Sequence, residues 1–251
     1  MPHTGDILPV GRYAVVSCHV ERPLDDAVWR LFSDLQERRP GGFAIAALLR
    51  PPDQAAGEDE RIWLERAGAA GARGPLGLHT HWTAPDHARP TGGDPGERVR
   101  REGEWLAERG VAATLFCGGG WYMDAGVAAA VAELGYADCT ATAFRPSYLA
   151  EDAPRLEAHE PAWLELTDGL RLLELPTTHS VGMLTRGVLG RLRVPVVHAY
   201  FHDTDLLQPA RRRALSVALR VLARRRTPSD LGELQRRLRP AKTMSFANSL
   251  G

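Results

Sequence analysis

The sequence predicts an α/β fold built around a mainly parallel β-sheet. Short apolar runs alternate with amphipathic segments along most of the 251 residues, and this repeated β-α-β order is typical of parallel sheets. Hydrophobic residues make up 44% of the chain, which is enough for one large core, and no change in composition marks a domain boundary. We therefore expect a single domain over residues 1–251, with its core at about 13–234.

The first half of the chain alternates strands and helices regularly. Apolar residues recur at helical spacing after Asp25 and Asp26, either of which is well placed as the N-cap, and the glycines Gly110 and Gly135 are typical helix stops. The expected strands cover residues 13–18, 43–49, 75–79, 112–117 and 137–141. The expected helices cover residues 25–38, 58–70, 97–109 and 124–134.

The second half follows a different pattern. Apolar runs at 163–166 and 170–175 flank Thr167-Asp168-Gly169, which predicts a hairpin with a turn of the Asp-Gly type. A final strand is expected at 194–201 and a final long helix at 208–226. The residues after Arg239 are expected to be a loose end, and the Gly- and Pro-rich residues 85–95 a loop.

Histidines and carboxylates stand at the ends of three of the expected strands. His19 and Glu21 follow the first strand, His79 and His81 end the third, and His202 follows the last. The carboxyl ends of parallel strands open onto one face, where ligands bind. Imidazole and carboxylate groups are typical zinc ligands, so the sequence predicts a polar site for a divalent metal.

Charge and apolar content exclude several classes of partner. The 31 basic and 31 acidic residues give a formal net charge of +0, which argues against nucleic acid and anionic membranes as partners. No run of about 18 apolar residues could span a bilayer, and the first residues do not resemble a secretory signal. We expect a cytoplasmic protein in which Cys18, Cys117 and Cys139 are thiols.

Five segments, in their order along the chain, resemble the polysaccharide deacetylase superfamily, carbohydrate esterase family four. They are the carboxylate-bearing end of the first strand and the stretches 77–81 (Gly-Leu-His-Thr-His), 116–122 (Phe-Cys-Gly-Gly-Gly-Trp-Tyr), 175–180 (Leu-Pro-Thr-Thr-His-Ser) and 200–203 (Tyr-Phe-His-Asp). The resemblance implies a distorted, incomplete (β/α) barrel. It also implies removal of N- or O-acetyl groups from sugars with one divalent metal, commonly zinc.

The resemblance implies a ligand set when it is carried over residue by residue. Glu21 would be the carboxylate ligand and His79 the first histidine ligand. The family's second histidine position is occupied by Thr83, so His81 and His87 are both candidates for the third ligand. On an extended strand His79 and His81 share a face, which favours His81.

The resemblance also implies roles in catalysis. His202 corresponds to the histidine that acts as general acid, and Asp203 or Asp205 lies near enough in sequence to orient or charge it. His19 stands where the family has its base aspartate, and Cys117 stands where it has an arginine. His19 could accept a proton from water, because an unperturbed imidazole titrates near ~6.5, or it could itself bind the metal.

Several neighbouring residues are candidates for substrate binding. Gly118 and Gly119 would let the backbone approach a sugar closely, and Trp121 and Tyr122 would suit a sugar-stacking wall, although aromatics there are also common in cores. His179 could line the mouth of the site or bond only to backbone. His198 could share the face of His202, but the sequence favours a core role for it, as for most isolated buried polar residues.

These observations predict a metal-dependent hydrolase, with deacetylation of an acetylated sugar or sugar-containing metabolite as the reaction. The substrate would be a small molecule or an oligosaccharide, and the oligomeric state is left open. Because His19 and Cys117 replace family residues, a non-catalytic glycan-binding relative is an alternative. A hydrolase that opens amides without metal is another.

Overall fold

The first half of the chain alternates strands and helices as the sequence predicts. A computed structural model describes residues 12–82, 89–149, 153–187 and 192–245. The strands of this half are β1 (Tyr13–Val20), β2 (Ala46–Leu49), β3 (Leu76–Thr80), β4 (Ala113–Gly118) and β5 (Ala137–Asp138). The helices are α1 (Asp26–Arg38), α2 (Glu60–Gly71), α3 (Pro95–Glu108) and α4 (Ala125–Glu133).

The second half contains shorter strands and three helices within the described residues. The strands are β6 (Ala162–Glu165), β7 (Arg171–Glu174), β8 (His179–Ser180), β9 (Val196–His202), β10 (Thr227–Pro228) and β11 (Thr243–Ser245). The helices are α5 (Val181–Gly187), α6 (Pro209–Ala223) and α7 (Leu231–Arg237). Strands β6 and β7 pair antiparallel across a short turn, so the predicted hairpin is present.

Aspartate side chains define where most helices begin. Each accepts hydrogen bonds from backbone N–H groups of the first turn, which have no partner inside the helix. These N-caps are Asp25 for α1, Asp59 for α2, Asp94 for α3, Asp124 for α4 and Asp230 for α7. Such a cap is worth about 1 kcal/mol, so short-range chemistry places these helix starts.

The strands form one mostly parallel sheet. Its order is β11-β6-β7-β5-β4-β3-β2-β1-β9-β8, with β10 added beside the start of β1. Within this sheet β6 and β7 are the antiparallel neighbours. The predicted α/β class is therefore confirmed. Among the described residues the end strands β8 and β11 do not pair with each other, so the sheet is not closed.

One extended segment, residues 171–180, connects distant parts of this sheet. It begins as β7 beside β5, and Leu175 N then donates to Asp138 O at 2.8 Å. Further along, Thr178 N donates to His198 O at 2.9 Å before β8 pairs with β9. The segment thus spans from β5 to β9. Because β5 and β9 are separated in the sheet by β4, β3, β2 and β1, a single segment can reach both only if the sheet curves. A curved, open sheet is consistent with the incomplete barrel that the family resemblance implies.

The sheet has an inner face and an outer face, which differ in what covers them. Register pairs Ser17 with Tyr200 and His19 with His202, so these residues share the inner face. Leu231 and Leu234 of α7 pack against the apolar part of this inner face. The outer face packs against the other helices. Polar side chains on the inner face near the carboxyl ends of the strands therefore converge.

Gly77 of β3 lies where the inner face is most crowded. A Cβ atom there would lie 2.4 Å from Leu48 Cδ2 and 2.8 Å from Leu115 O. We expect Gly77→Ala to lower the free energy of unfolding by about 1–3 kcal/mol through overpacking, measured by urea denaturation. Gly68 of α2 is the control: its Cβ would meet nothing within 4 Å. Gly68→Ala should stabilise the helix by about 0.5–1 kcal/mol.

Several boundaries differ from the sequence prediction by up to a few residues. The strand expected at 43–49 begins only at Ala46, and the strand expected at 137–141 ends at Asp138. The expectation of a loose end after Arg239 is wrong as far as residue 245, because β11 pairs with β6 in parallel and Lys242 O accepts from Trp163 N at 2.9 Å; residues 246–251 lie outside the described part of the chain. A three-residue strand has too little periodicity to be predicted; its partner strand stabilises it.

Candidate metal centre

Within a run of five neighbouring parallel strands, four carry polar side chains at their carboxyl ends, and these side chains meet. β1 brings His19 and then Glu21, β3 brings His79 and then His81, β4 brings Cys117, and β9 ends at His202. The strands β4, β3, β2, β1 and β9 are consecutive and parallel. Residues far apart in sequence therefore share one pocket at their carboxyl ends.

Glu21, His79 and His81, which we call the Glu21 set, have the spacing of metal ligands. Glu21 Oε1 lies 3.8 Å from His79 Nε2 and 3.5 Å from His81 Nε2, and the two Nε2 atoms are 3.2 Å apart. A tetrahedral zinc ion with bonds of about 2.0–2.2 Å holds its ligand atoms about 3.3–3.6 Å apart. The three residues therefore fit one divalent ion.

The imidazole of His79 is held in one orientation. Its Nδ1 lies 2.9 Å from the backbone oxygen of Cys117, and since a carbonyl only accepts, Nδ1 donates. The lone pair of Nε2 is then directed at Glu21. Such a bond to the second nitrogen is typical of metal-binding histidines. Burial also lowers the pKa of His79, and Glu21 opposes only part of this effect, which favours the neutral ligand form.

Glu21 is held as a carboxylate. Burial by itself would raise the pKa of Glu21, but the adjacent His79 and His81 and the nearby His202 keep it well below its ordinary value. Its backbone oxygen accepts from Arg50 Nε at 2.9 Å. Arg50 is buried and also pairs with Glu58. Arg50 thus fixes the chain at Glu21, a role that no sequence motif indicated.

His202 stands at the open side of the centre. Its Nε2 lies 3.5 Å from Glu21 Oε1, and 37% of its side chain is exposed. Its backbone N donates to Asp205 Oδ2 at 3.1 Å, and its Nδ1 lies 3.9 Å from the same oxygen. Asp205 is therefore the acidic neighbour of His202.

Asp203 does not face His202, which corrects its predicted role as the orienting acid. Its carboxylate accepts from Arg22 N and from Thr204 N, both at 2.8 Å, and burial raises its pKa to about 6. The chain turns directly after β9, and this turn points Asp203 toward the backbone that follows Glu21. Asp203 thus anchors that backbone.

His19 lies deep in the pocket among other rings. Its ring centroid is 4.4 Å from that of His79, 5.2 Å from that of His202 and 5.0 Å from that of Tyr200. Burial first, and then the neighbouring His79 and His202, hold its pKa well below the ordinary value. His19 is therefore a neutral imidazole. Tyr200 was not predicted as a site residue, although alternation along the strand places it on the face of His202.

Cys117 is completely buried, which corrects the expectation that it contacts substrate. Its Sγ lies 3.5 Å from His19 Nε2. Burial raises the pKa of the thiol well above its ordinary value. The thiol therefore faces the histidines of the pocket and has no exposed surface for a sugar.

The two aromatic residues after the glycine run, Trp121 and Tyr122, point in different directions. Trp121 lies 5.4 Å from the His19 ring and 4.8 Å from the Tyr200 ring, so it forms a wall of the pocket. Tyr122 is turned away: its hydroxyl donates to Asp124 Oδ2 at 2.6 Å, and its ring contacts Trp82. The sugar-stacking wall predicted for both residues is therefore absent at Tyr122, and at Trp121 it is limited to the 4% of the residue that is exposed.

The glycine run is explained by close packing. A Cβ at Gly118 would lie 2.4 Å from Tyr122 O, and Gly120 has a positive φ of 57°. The oxygen of Gly119 accepts from Trp82 Nε1 at 3.0 Å. Close packing accounts for Gly118 and the positive φ accounts for Gly120, in both cases without a sugar, which replaces the reason inferred from sequence for Gly118.

Two further histidines lie outside the cluster. His179 pairs in register with Ala199 and so lies on the outer face; of the two roles left open for it, lining the mouth of the site is the one that this position does not support. His198 lies on the inner face, donates from Nδ1 to Leu175 O at 3.1 Å, and has its pKa lowered to about 4 by burial. It is a core residue. His87, the alternative third ligand, lies outside the described residues.

A cavity of about 450 Å³ adjoins the centre at His81. Its lining includes Arg50, Arg98, Glu102 and Trp105. Small-molecule sites commonly occupy about 300–1,000 Å³. The cavity is therefore large enough for a small ligand that reaches the centre from the side of β3.

A buried pair of acidic residues is connected to the glycine run through hydrogen bonds of Thr140. Asp138 of β5 and Glu174 of β7 are register partners, and both are fully buried. Asp138 accepts from Thr140 Oγ1 at 2.6 Å, and Thr140 Oγ1 accepts from Gly118 N at 2.7 Å. Burial, and then the charge of Asp138, raise the pKa of Glu174 well above its ordinary value. Glu174 is therefore a neutral acid in the folded protein.

The protonation of Glu174 predicts a specific pH dependence of stability. Above the ordinary glutamate pKa the folded chain keeps a proton that the unfolded chain releases, so stability falls as pH rises, by up to about 1.4 kcal/mol per pH unit. Glu174→Gln should remove this slope in urea denaturation between pH 5 and 8. Glu165→Gln, at an exposed position on the neighbouring strand, should leave the slope unchanged. An identical slope for Glu174→Gln and the parent protein would contradict the assignment.

Within the described parts of the chain, no helix combines the length and apolar character that crossing a bilayer requires.

Comparison with known proteins shows a shared fold. No protein-family profile matches the chain, and no curated protein matches it by sequence. Its structure matches that of a 4-α-glucanotransferase from Thermococcus litoralis with a TM-score of 0.62 and 12% identity, over 98% of this chain and 43% of the enzyme. A candidate polysaccharide deacetylase involved in O-antigen biosynthesis, from Bordetella bronchiseptica, matches with a TM-score of 0.43 and 13% identity, over 86% of this chain and 84% of that protein. The chain thus spans less than half of the glucanotransferase, whose fold it shares over nearly its whole described length.

Proposed function

We propose that this protein is a metal-dependent hydrolase that removes an acyl group from an amide or ester. The observation that carries the proposal is the convergence of Glu21, His79 and His81, with ligand atoms 3.2–3.8 Å apart. Three protein ligands with an open fourth position are typical of catalytic zinc sites. When bound, the ion would polarise the acyl carbonyl and lower the pKa of water.

His19 is assigned as the proton acceptor when the ion occupies the Glu21 set. It is a neutral imidazole with its ring 4.4 Å from that of His79, so it lies next to the ligands. A neutral imidazole has a lone pair that can accept a proton, and a positioned base contributes about 10²–10⁴-fold to rate. The neighbouring Tyr200 and Trp121 rings keep it in place.

His202 is assigned as the proton donor to the leaving group. It is the most exposed of the pocket histidines, so it can reach a group that departs toward solvent. Asp205 accepts from its backbone N at 3.1 Å, and Asp205 Oδ2 lies 3.9 Å from its Nδ1, so this carboxylate positions the ring. Separate acid and base groups on either side of the carbonyl are what amide cleavage requires.

An acetylated sugar or sugar-containing metabolite is the proposed substrate. Tyr200, which is partly exposed beside His19 and His202, offers an aromatic ring at the pocket, and rings of this kind pack against the apolar faces of sugars. The cavity beside His81 is large enough for a small substrate. The neighbouring Arg50 and Glu102 provide polar groups near its wall.

The test is metal-dependent release of acetate. The chelated protein, loaded with Zn²⁺ alone, should release acetate from members of a panel of N- and O-acetylated monosaccharides, and Glu21→Gln should reduce this release at least about 10-fold. Stoichiometric zinc with no turnover on any member would overturn the proposal. Turnover that survives chelation would instead favour a hydrolase that works without metal.

Glycan binding without catalysis is the second candidate, because His19 and the buried Cys117 replace the base and its partner expected in the deacetylase family. It predicts stoichiometric binding of an acetylated sugar, measured by calorimetry, with no acetate released. The same panel of sugars separates the two functions.

A further inference from the structure

We infer that His19, His79 and Cys117, which we call the Cys117 set, form a second site for a soft divalent cation. One ligand atom from each residue lies within 4.8 Å of those of the other two. The Cys117 Sγ to His19 Nε2 distance is 3.5 Å. A tetrahedral ion with Zn–N bonds of about 2.0–2.1 Å and a Zn–S bond of about 2.3 Å also separates these two atoms by about 3.5 Å.

The surroundings of the Cys117 set suit a closed metal site. His19 is 3% exposed, His79 is 2% exposed and Cys117 is fully buried, so few water molecules compete for the ion. The backbone oxygen of Cys117 accepts from His79 Nδ1, which leaves Nε2 free to bind. A thiol binds metal as the thiolate, so formation of the metal–sulfur bond releases one proton to solvent.

The Cys117 set and the Glu21 set share His79, and therefore exclude each other. Because Nδ1 of His79 is engaged by Cys117 O, both sets depend on the same Nε2 atom. An ion in the Cys117 set would also occupy His19, the assigned proton acceptor. Thiolate selects soft ions, whereas the Glu21 carboxylate suits harder ones. A soft cation in the Cys117 set should therefore block the activity proposed for the Glu21 set.

The experiment uses Cd²⁺ alone as the soft probe. Titration of the metal-free 251-residue chain should produce the near-ultraviolet absorption of a cadmium–thiolate bond and saturate at one equivalent. Cys117→Ser should lose this absorption and bind Cd²⁺ at least about 10-fold more weakly. Cys139→Ser is the matched control, because Cys139 is also buried on the inner face, and it should retain the absorption. Glu21→Gln should retain it as well, since that residue belongs to the other set.

Absence of the absorption in the wild-type protein, or its persistence in Cys117→Ser, would overturn the inference. If Cys117→Ser fails to fold by circular dichroism, X-ray absorption of the wild-type cadmium form decides: a sulfur neighbour of the metal supports the site, and only nitrogen and oxygen neighbours refute it. If the protein releases acetate with Zn²⁺ but no sulfur binds Cd²⁺, the second site at the Cys117 set is refuted and the proposed hydrolase function stands. Sulfur ligation without turnover on the sugar panel supports this site and refutes the hydrolase.

Discussion

Replacing His79 with alanine is expected to abolish both metal binding and acyl release. His79 Nε2 belongs to the Glu21 set and to the Cys117 set, so its loss leaves neither with three ligands. Loss of groups that merely orient ligands already weakens metal affinity about 10–100-fold, and loss of a ligand should cost at least as much. Metal content after chelation and reloading with Zn²⁺, measured by elemental analysis, checks the first effect. Acetate release from the sugar panel checks the second.

The control for His79→Ala is another buried histidine on the same inner face. His198 is 1% exposed and hydrogen-bonds to Ser17 and Leu175, away from the cluster. His198→Gln should therefore keep one equivalent of zinc, although it is expected to be less stable. Full zinc occupancy in His79→Ala would contradict the proposed centre, because both donor sets depend on this residue.

Replacing His202 with alanine is expected to lower turnover by about 100-fold or more while zinc stays bound. The side chain is 37% exposed and lies 3.5 Å from Glu21 Oε1, so it adjoins the Glu21 set without completing it. Its loss removes the proposed proton donor but leaves Glu21, His79 and His81 in place. Turnover at saturating substrate and zinc content, measured on the same sample, check the two parts of this prediction.

Two variants sharpen the test of His202. His159→Ala changes an exposed histidine that contacts Glu157, and it should alter neither turnover nor zinc content. Asp205→Asn should lower turnover less than His202→Ala does and leave zinc bound, because Asp205 accepts from the backbone N of His202 and lies beside its Nδ1. Unchanged turnover in His202→Ala would remove the acid role. Loss of zinc would make His202 a ligand instead.

Much of the candidate centre follows from short-range patterns in the sequence. Apolar runs alternating with amphipathic segments predict parallel strands, and parallel strands present their carboxyl ends on one side. Glu21, His79 and His202 stand at three such ends, so their proximity could be expected before any coordinates. Alternation along an extended strand likewise predicts that His79 and His81 share a face. Aspartate caps place several helix starts for the same local reason.

Other features depend on how the strands are aligned and how the chain turns after them. The turn after β9 directs Asp203 to the backbone of Arg22 and leaves Asp205 beside His202. The register of β8 with β9 places His179 on the outer face. Neither result is encoded in one segment, since register and turn geometry come from packing between segments.

The sequence by itself determined the α/β class and the strand ends at which ligand-type residues collect, because periodicity and capping act over a few residues. Only the tertiary structure decided that the buried thiol of Cys117 faces His19, 98 positions away, at 3.5 Å. It also decided that Arg50 holds the backbone of Glu21. Contacts between distant segments form only when the sheet assembles, so no local pattern could have indicated them.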